Sequence, residues 1–257
     1  MKSTPLQQAI LNLDRGQRRA ALALALATIV LLSGAIAAVI VISTGGLRPT
    51  PTTRLQSDYL RALDTESEAV RQAKAGGRAV NTDATVVQAR ADLALLEIQA
   101  GDTNSALTRA RTLARQAPQS AEARYAYGMA LAATRQIPAS LTQYQTAADL
   151  AKNTDSELER SILSAYGDAL TAARKPAQAY AAIKQAAGIP PASTDLYVKA
   201  AALATKQRNF QEAAADFLTA QTYDPQNTTA AAGLRQLERE HPDAVQAARQ
   251  QQDQGRS

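Results

Sequence analysis

The chain has 257 residues, of which 46% are hydrophobic but only 4% aromatic, with no tryptophan and no cysteine. This alanine-rich composition favours closely packed helices over sheets, which prefer β-branched and aromatic residues, and the lack of cysteine excludes disulfides and thiolate chemistry. The net charge of +5 resides in residues 1–54, with six basic side chains and one acidic, whereas the remainder carries 22 of each sign. No basic stripe is visible in that neutral remainder, so nucleic acid is not an expected partner.

An uncharged apolar segment lies near the N-terminus. Residues 20–42 include twelve Leu, Ile or Val and eight Ala. As a helix they extend roughly 34 Å, enough for a hydrocarbon core of about 30 Å. The run exceeds the roughly 7–15 apolar residues of a cleaved signal peptide. We therefore predict a transmembrane helix at 20–43 that contacts the lipid bilayer and follows a basic cytoplasmic tail at 1–19.

Charges beside this segment predict its orientation. Arg15, Arg18 and Arg19 lie closer to the span than Arg48 and Arg54 do. Because Lys and Arg concentrate on the cytoplasmic side, the N-terminus is expected inside and the large domain outside. The localisation predicted is therefore the cytoplasmic membrane, crossed once. The span contains no ionisable residue, which indicates anchoring and not transport.

Four further segments complete the predicted organisation. Prolines make 44–53 a linker, since they block helix continuation. Leu55, Tyr59 and Leu63 recur at helical spacing, which predicts a juxtamembrane helix within 54–80 that ends at Gly76-Gly77. A helical domain with a C-terminal capping helix follows at 83–241, and the polar segment 242–257 is expected to form a flexible tail.

The helical domain contains a repeat with a period of about 34 residues. Its four units begin at Val87, Ala121, Arg160 and Thr194. The eighth position holds Ala94, Gly128, Gly167 and Ala201, and the twentieth holds Ala106, Ser140, Ala179 and Ala213. Small side chains at both positions allow the two helices of a hairpin to cross closely. Larger side chains at Tyr144, Ile183 and Phe217 are expected to fill the following interface, and late prolines end the second helices.

This pattern resembles the tetratricopeptide repeat (TPR) family. The fourth unit matches best, with Ala213, Phe217, Ala220 and Tyr223-Asp224-Pro225 in order, although the family's tryptophan is absent throughout. The resemblance covers residues 87–227 and implies an all-α, TPR-like helix–turn–helix solenoid, here preceded by the single transmembrane helix.

The resemblance also implies where a partner binds. In the family, ligands contact the first helix of each repeat on the inner face of the superhelix. The corresponding positions, a partner-binding groove for a peptide segment or helix, are Gln88, Leu95, Glu122, Tyr125, Met129, Ser164, Asp168, Asp195 and Val198. Tyr125 and Met129 are candidates for an adaptable apolar spot, or they pack against neighbouring helices.

The sequence offers no catalytic set. The single histidine, His241, precedes a proline at a helix end, where a surface or capping role is usual. Asp155, Glu157 and Glu159 point in different directions on a helix and suit a solvated helix start, not a metal site. We therefore expect no catalytic residue, no metal and no cofactor.

The function expected is that of a non-catalytic, membrane-anchored scaffold or assembly factor that binds other proteins. Its layout is similar to that of bacterial inner-membrane TPR proteins that assist export, envelope biogenesis or cytochrome maturation. The alternatives are a constitutive accessory subunit of a larger membrane complex, or an export or cytochrome-maturation chaperone.

Overall fold

The computed structural model describes residues 51–254, with side chains from residue 54 onward. This part of the chain is all helical and contains no strand. Its helices are α1 (Pro51–Ala75), α2 (Ala84–Gln99), α3 (Thr103–Gln116), α4 (Ala121–Ala133), α5 (Ile137–Ala151), α6 (Ser156–Ala172), α7 (Pro176–Gly188), α8 (Thr194–Lys206), α9 (Phe210–Tyr223), α10 (Thr228–Glu240) and α11 (Pro242–Gln254).

The helices from α2 to α9 form four antiparallel hairpins stacked side by side. Each hairpin packs its two helices together, and its second helix also packs on the first helix of the next hairpin. The first helices approach one another, α2 against α4 and α4 against α6, whereas the second helices lie further apart. The stack therefore curves, with the first helices on its inner face. The predicted TPR-like solenoid is confirmed for the described residues.

Short polar residues begin most of these helices. A side-chain oxygen at the N-cap accepts a hydrogen bond from a backbone N–H of the first turn, which satisfies one otherwise unpaired donor. The residues in this role are Asp83, Asp102, Ser120, Asp155 and Asn227. Two other helices, α5 and α7, carry proline in the first turn instead, where its missing N–H costs nothing.

The small residues of the repeat are buried where the hairpin helices meet, and two glycines accommodate large side chains. A Cβ on Gly128 would lie 2.8 Å from the ring of Tyr144, and one on Gly167 would lie 2.5 Å from Ile183 Cδ1. Both side chains thus lie against the first helix of their own hairpin, because residues sixteen apart face each other there; that they also fill the following interface stays a prediction. Phe217 does reach forward, onto Gly233 of α10.

Two predicted segments differ from the structure. The helix expected within 54–80 begins at Pro51, so 51–53 are helical and not part of the linker, and it ends at Ala75 before the Gly76-Gly77 turn. The flexible tail expected from Pro242 is instead helix α11 as far as Gln254. Val245 and Ala248 explain this, since both side chains are buried against α9 and α10.

The predicted membrane segment lies outside the described residues, as do the tail at 1–19 and the linker up to residue 50. Of the helices in residues 51–254, none combines the length and apolarity needed to cross a bilayer.

The packing at Gly128 makes a testable prediction. Alanine normally stabilises a helix by about 1 kcal/mol relative to glycine. Gly128→Ala should instead destabilise the protein by about 1–3 kcal/mol, because the ring of Tyr144 is fully buried and must move. Thermal unfolding of the full-length protein in mild detergent, followed by circular dichroism, measures this. Gly188→Ala is the control, since its Cβ meets only Tyr197 Oη at 3.6 Å; equal stability of the two variants would contradict the prediction.

Candidate partner-binding site

A cleft of about 610 Å³ opens on the inner face of the solenoid. The inner sides of α4 and α6 form its walls, α5 forms its floor, and Leu196 of α8 closes one end. Its apolar lining comes from Tyr125, Met129, Ala132, Ile137, Tyr144, Ala165, Ala169, Ala172 and Leu196. The cleft is thus built from three consecutive repeats.

Tyr144 fixes the floor of this cleft. Its side chain is 1% exposed, and its hydroxyl donates to Met129 Sδ at 3.2 Å. The ring of Tyr125 lies at a centroid distance of 6.2 Å, tilted by 47°. Burial raises the pKa of both tyrosines above the ordinary value, so both hydroxyls stay neutral at physiological pH. The floor therefore presents uncharged, polarisable surface.

Charged groups at the rim of the cleft are already paired. Asp168 forms a salt bridge with Lys199 of α8, with an Oδ1–Nζ distance of 2.7 Å. Arg160 pairs with Glu157 and donates from Nη2 to the carbonyl oxygens of Ile189 at 2.9 Å and Pro191 at 2.8 Å. An incoming segment would therefore meet an apolar floor between charged groups that are already paired, with the hydroxyls of Ser161 and Ser164 close by.

Four of the nine residues predicted for the groove line this cleft, namely Tyr125, Met129, Ser164 and Asp168. The other five lie elsewhere on the first helices, and three of those are already in contact with neighbours. Gln88 donates to Asp92 at 2.8 Å, Glu122 accepts from Ser120 Oγ, and Val198 packs on the core beneath α9. Leu95 and Asp195 do not line the cleft.

The predicted groove residues omit nine of the thirteen lining residues, and three of those nine show why. Ile137 and Tyr144 lie on the second helix of their hairpin, whereas the family's ligand positions lie on first helices. Leu196 belongs to a first helix but occupies the position beside the expected one. The only sequence signal for Tyr144 was its size on the second helix, which indicated packing in the following interface and not a binding floor.

A larger cleft, of about 820 Å³, lies between α1 and α3, and side chains of α2 also line it. Its polar groups satisfy one another: Arg109 contacts both carboxylate oxygens of buried Glu97 at 2.8–3.1 Å, and Tyr59 donates to the same group at 3.2 Å. Arg90 pairs with Glu66 at 2.9 Å. This network holds α1 against the first repeat and makes the lining more polar than that of the inner cleft, so the smaller inner cleft is the better candidate for a partner.

An ion pair between α7 and α9 has a buried carboxylate and an exposed lysine. The side chain of Asp216 is 1% exposed, and its Oδ1 lies 3.0 Å from Lys184 Nζ, which also donates to Tyr180 Oη at 2.9 Å. The second carboxylate oxygen has no hydrogen-bond partner within residues 54–254. Burial raises the pKa of Asp216 in spite of the lysine, and it raises the pKa of Tyr180 to about 12. The lysine thus keeps an otherwise costly carboxylate in the core.

The residues considered for chemistry have structural roles. Asp155 caps α6, and Glu159 accepts from the backbone N–H of Asn153 at 3.3 Å. The ring of His241 stacks on Phe210 at 3.5 Å between centroids. Over the described part of the chain, no three His, Cys, Asp or Glu side chains are grouped so as to hold a metal ion.

Comparison with known proteins identifies the fold. No protein-family profile matches the chain, and no curated protein matches it in sequence. Among solved structures, BtubC (BKLC) from P. vanneervenii is similar with a TM-score of 0.57 at 14% identity, over 79% of this chain and 91% of that one. MamA gives 0.50 at 17% identity, over 70% and 96%. YrrB, described as a TPR protein with an unusual peptide-binding site, gives 0.48 at 14%, over 62% and 79%. At these identities the likeness to BtubC and MamA shows the fold alone, a helical solenoid.

The ion pair of Asp216 and Lys184 predicts a pH-dependent mutant phenotype. Lys184→Met leaves the Asp216 carboxylate buried without a cation, which should cost about 1–3 kcal/mol of unfolding free energy at neutral pH. Because the folded-state pKa of Asp216 lies above its unfolded value, the folded protein takes up the proton first. Protonation of Asp216 therefore raises the free energy of unfolding as pH falls through this folded-state pKa, and the gain is lost as pH rises.

Removal of Lys184 raises the folded-state pKa of Asp216 further. The difference in unfolding free energy between variant and wild type should therefore shrink as the pH falls from about 7 to about 4. Denaturant unfolding at the two pH values measures it. The double variant Lys184→Met with Asp216→Asn removes both charges and should recover most of the lost stability. A loss of equal size at both pH values would show that the lysine acts through its packing alone.

Proposed function

We propose that the protein is a non-catalytic, membrane-anchored TPR scaffold or assembly factor that binds other proteins at the outer face of the cytoplasmic membrane. The observation that carries this proposal is the inner-face cleft, whose apolar lining includes Tyr125 and Met129 on α4 and Tyr144 on α5. At about 610 Å³ it is within the range of ligand sites, and it lies where three repeats converge.

The chemistry of the cleft indicates the kind of segment it takes. Tyrosine and methionine supply adaptable apolar contact surface, and the paired rim leaves no free charge to grip a chain terminus. An extended segment or a helix that inserts one or two apolar side chains fits this surface. Affinity would then come from burial of those side chains, with the serine hydroxyls fixing orientation.

The absence of free catalytic groups in the described residues supports a binding role over an enzymatic one. The acidic groups of the cleft rim are consumed in ion pairs, and His241 is stacked against Phe210 outside the cleft. No side chain of the cleft pairs a nucleophile with a general base.

The anchor is supported by the sequence of residues 20–43. Their twelve branched aliphatic side chains favour bilayer insertion by roughly 4 to 7 kcal/mol on an insertion scale. The basic residues at 15–19 favour a cytoplasmic N-terminus, which would place the cleft outside the cytoplasm. A scaffold tethered in this way concentrates its partner at the membrane surface.

The cleft can be tested by site-specific photo-crosslinking in cells. A photoreactive phenylalanine analogue at Met129 should give discrete protein adducts, whereas the same group at Thr142, which is exposed on α5 and lines no cleft, should not. A synthetic peptide covering the crosslinked segment should bind the full-length protein. Tyr125→Ala should then weaken that binding about 5- to 30-fold, the usual effect of removing a buried aromatic anchor. Identical adducts from both positions, or unchanged affinity, would argue against the cleft.

The anchor makes a separate prediction. Two arginines at the centre of the span, Leu31→Arg with Leu32→Arg, cost roughly 5 to 7 kcal/mol of insertion energy and should release the chain from carbonate-washed membranes. Arginines at Thr44 and Leu47, beyond the span, are the matched control and should leave it bound. Protease accessibility of the helical domain in spheroplasts then reports its side. Full membrane retention of the Leu31/Leu32 variant would rule out this span.

A further inference from the structure

The turns that join the two helices of each repeat share one backbone feature. The fifteenth residue of every repeat has a positive φ: Gly101 at 83°, Arg135 at 61°, Arg174 at 57° and Arg208 at 62°. Glycine suits this left-handed conformation, and Asn, Asp or His are its usual substitutes. In arginine the Cβ atom makes this conformation unfavourable, and the side chain cannot make the local hydrogen bond by which Asn or Asp offsets that cost. Three repeats nevertheless place it there.

These turns carry a group of unpaired cations. Lys175 follows Arg174, and Lys206 lies two residues before Arg208. All five basic side chains are exposed, and none forms a salt bridge or a side-chain hydrogen bond within the described residues. No acidic residue occurs in the three turns. We call this set, Arg135, Arg174, Lys175, Lys206 and Arg208, the turn ridge.

The turn ridge is continuous along one edge of the solenoid. In a stack of hairpins every such turn lies at the same edge, and Gln207 Nε2 of the last turn donates to Pro176 O of the preceding one at 3.1 Å. The opposite edge is mixed, since Lys152 is close in sequence to Asp155 and the next loop holds Asp224. Acidic residues occur at the two ends of the ridge edge, Asp102 in the first turn and Glu240 and Asp243 on either side of His241-Pro242, so the excess of positive charge lies in the three turns between them.

The N-terminal end of α1 lies at this same edge. Helix α1 runs antiparallel to α2: Tyr59 contacts Glu97 near the end of α2, whereas Ala73 packs on Val86 near its start. The chain therefore enters the solenoid beside the turn ridge. Residues 44–50 connect α1 to the predicted span, so the predicted anchor would join the helical domain at this edge.

We propose that the turn ridge docks on the anionic lipid headgroups of the membrane in which the chain is anchored, an inference that rests on the proposed anchor. Exposed arginines and lysines bind phospholipid phosphates through charge-assisted hydrogen bonds. The turns offer no aromatic side chain for base stacking, and a line of projecting turn tips forms no groove that follows a nucleic-acid strand. Lipid is therefore the better match than nucleic acid.

The absence of cysteine allows a direct test on the full-length protein. A dye on Gln136→Cys reports the ridge edge, and one on Thr154→Cys reports the opposite edge. Energy transfer to a headgroup-labelled lipid is measured in vesicles of phosphatidylcholine alone and of phosphatidylcholine with phosphatidylglycerol. Transfer from position 136 should rise with phosphatidylglycerol and fall with added salt, whereas transfer from position 154 should not rise.

The decisive variant replaces Arg135, Arg174 and Arg208 by glycine, the residue that the first repeat already has at this turn position. Relief of the positive φ should leave the melting temperature equal or higher, so unfolding cannot explain a lost signal. Each arginine near an anionic surface contributes about 1 kcal/mol, or roughly fivefold, so the docking equilibrium should fall on the order of 100-fold. The matched triple lysine variant keeps the charges and should keep the signal.

Phosphatidylglycerol-dependent transfer that survives in the triple glycine variant would overturn the proposal. So would transfer that ignores lipid charge, or a ridge signal abolished by stoichiometric single-stranded oligonucleotide. Flotation on phosphatidylcholine vesicles separates the anchor from the ridge: failure there rejects the anchor. In that case flotation on mixed vesicles still tests the ridge, because it should be lost in the glycine variant and kept in the lysine variant. A wild-type protein that does not float on mixed vesicles would reject the ridge.

Discussion

The close approach of two helices within each hairpin is the constraint on which the rest of the structure depends. Only alanine, glycine or serine occupies the crossing positions, and all of these residues are buried. Where glycine replaces alanine, at Gly128 and Gly167, a large side chain from the second helix enters the space. In the second repeat that side chain is Tyr144, which passes through the hairpin and forms the floor of the inner cleft. Glycine at position 128 thus affects the surface available to a partner, because any larger residue there would displace the ring of Tyr144.

The repeat could be predicted because its signal is local and periodic. The small crossing positions and the late prolines identified the hairpins, and helix α10 lies at residues 228–240 as its apolar spacing indicates. Helix α11 could not be recognised this way, since its composition is polar and only Val245 and Ala248 are buried. Glu97 illustrates the same limit. Its partners Arg109 and Tyr59 lie twelve and 38 residues away in the sequence, and only the packing of α1 and α3 on α2 brings them together.

The candidate site was only partly predictable for a geometric reason. Family positions on the first helices selected Tyr125, Met129, Ser164 and Asp168, which the structure brings together. The same rule also selected Gln88 and Leu95, which lie one repeat away from the cleft. A cleft of limited length depends on the rotation from each repeat to the next and on which second-helix side chain reaches through. Neither quantity is encoded in a single repeat, so Ile137 and Leu196 emerge only from the assembled stack.

The positions of the charges on the folded domain also differ from what the sequence counts suggest. Equal numbers of acidic and basic residues after residue 54 suggest a featureless surface, yet the basic turns all fall on one edge, because a repeat places equivalent positions in one row. The inner cleft runs along the sides of the helices, whereas the turn ridge lies at their ends. A surface docked on the ridge would therefore leave the cleft open. Since the two surfaces share no residue and no ion pair, lipid contact and partner binding should be thermodynamically independent, with a coupling free energy near zero. An anchored solenoid of this construction would be oriented by its edge and would select its partner by its inner face.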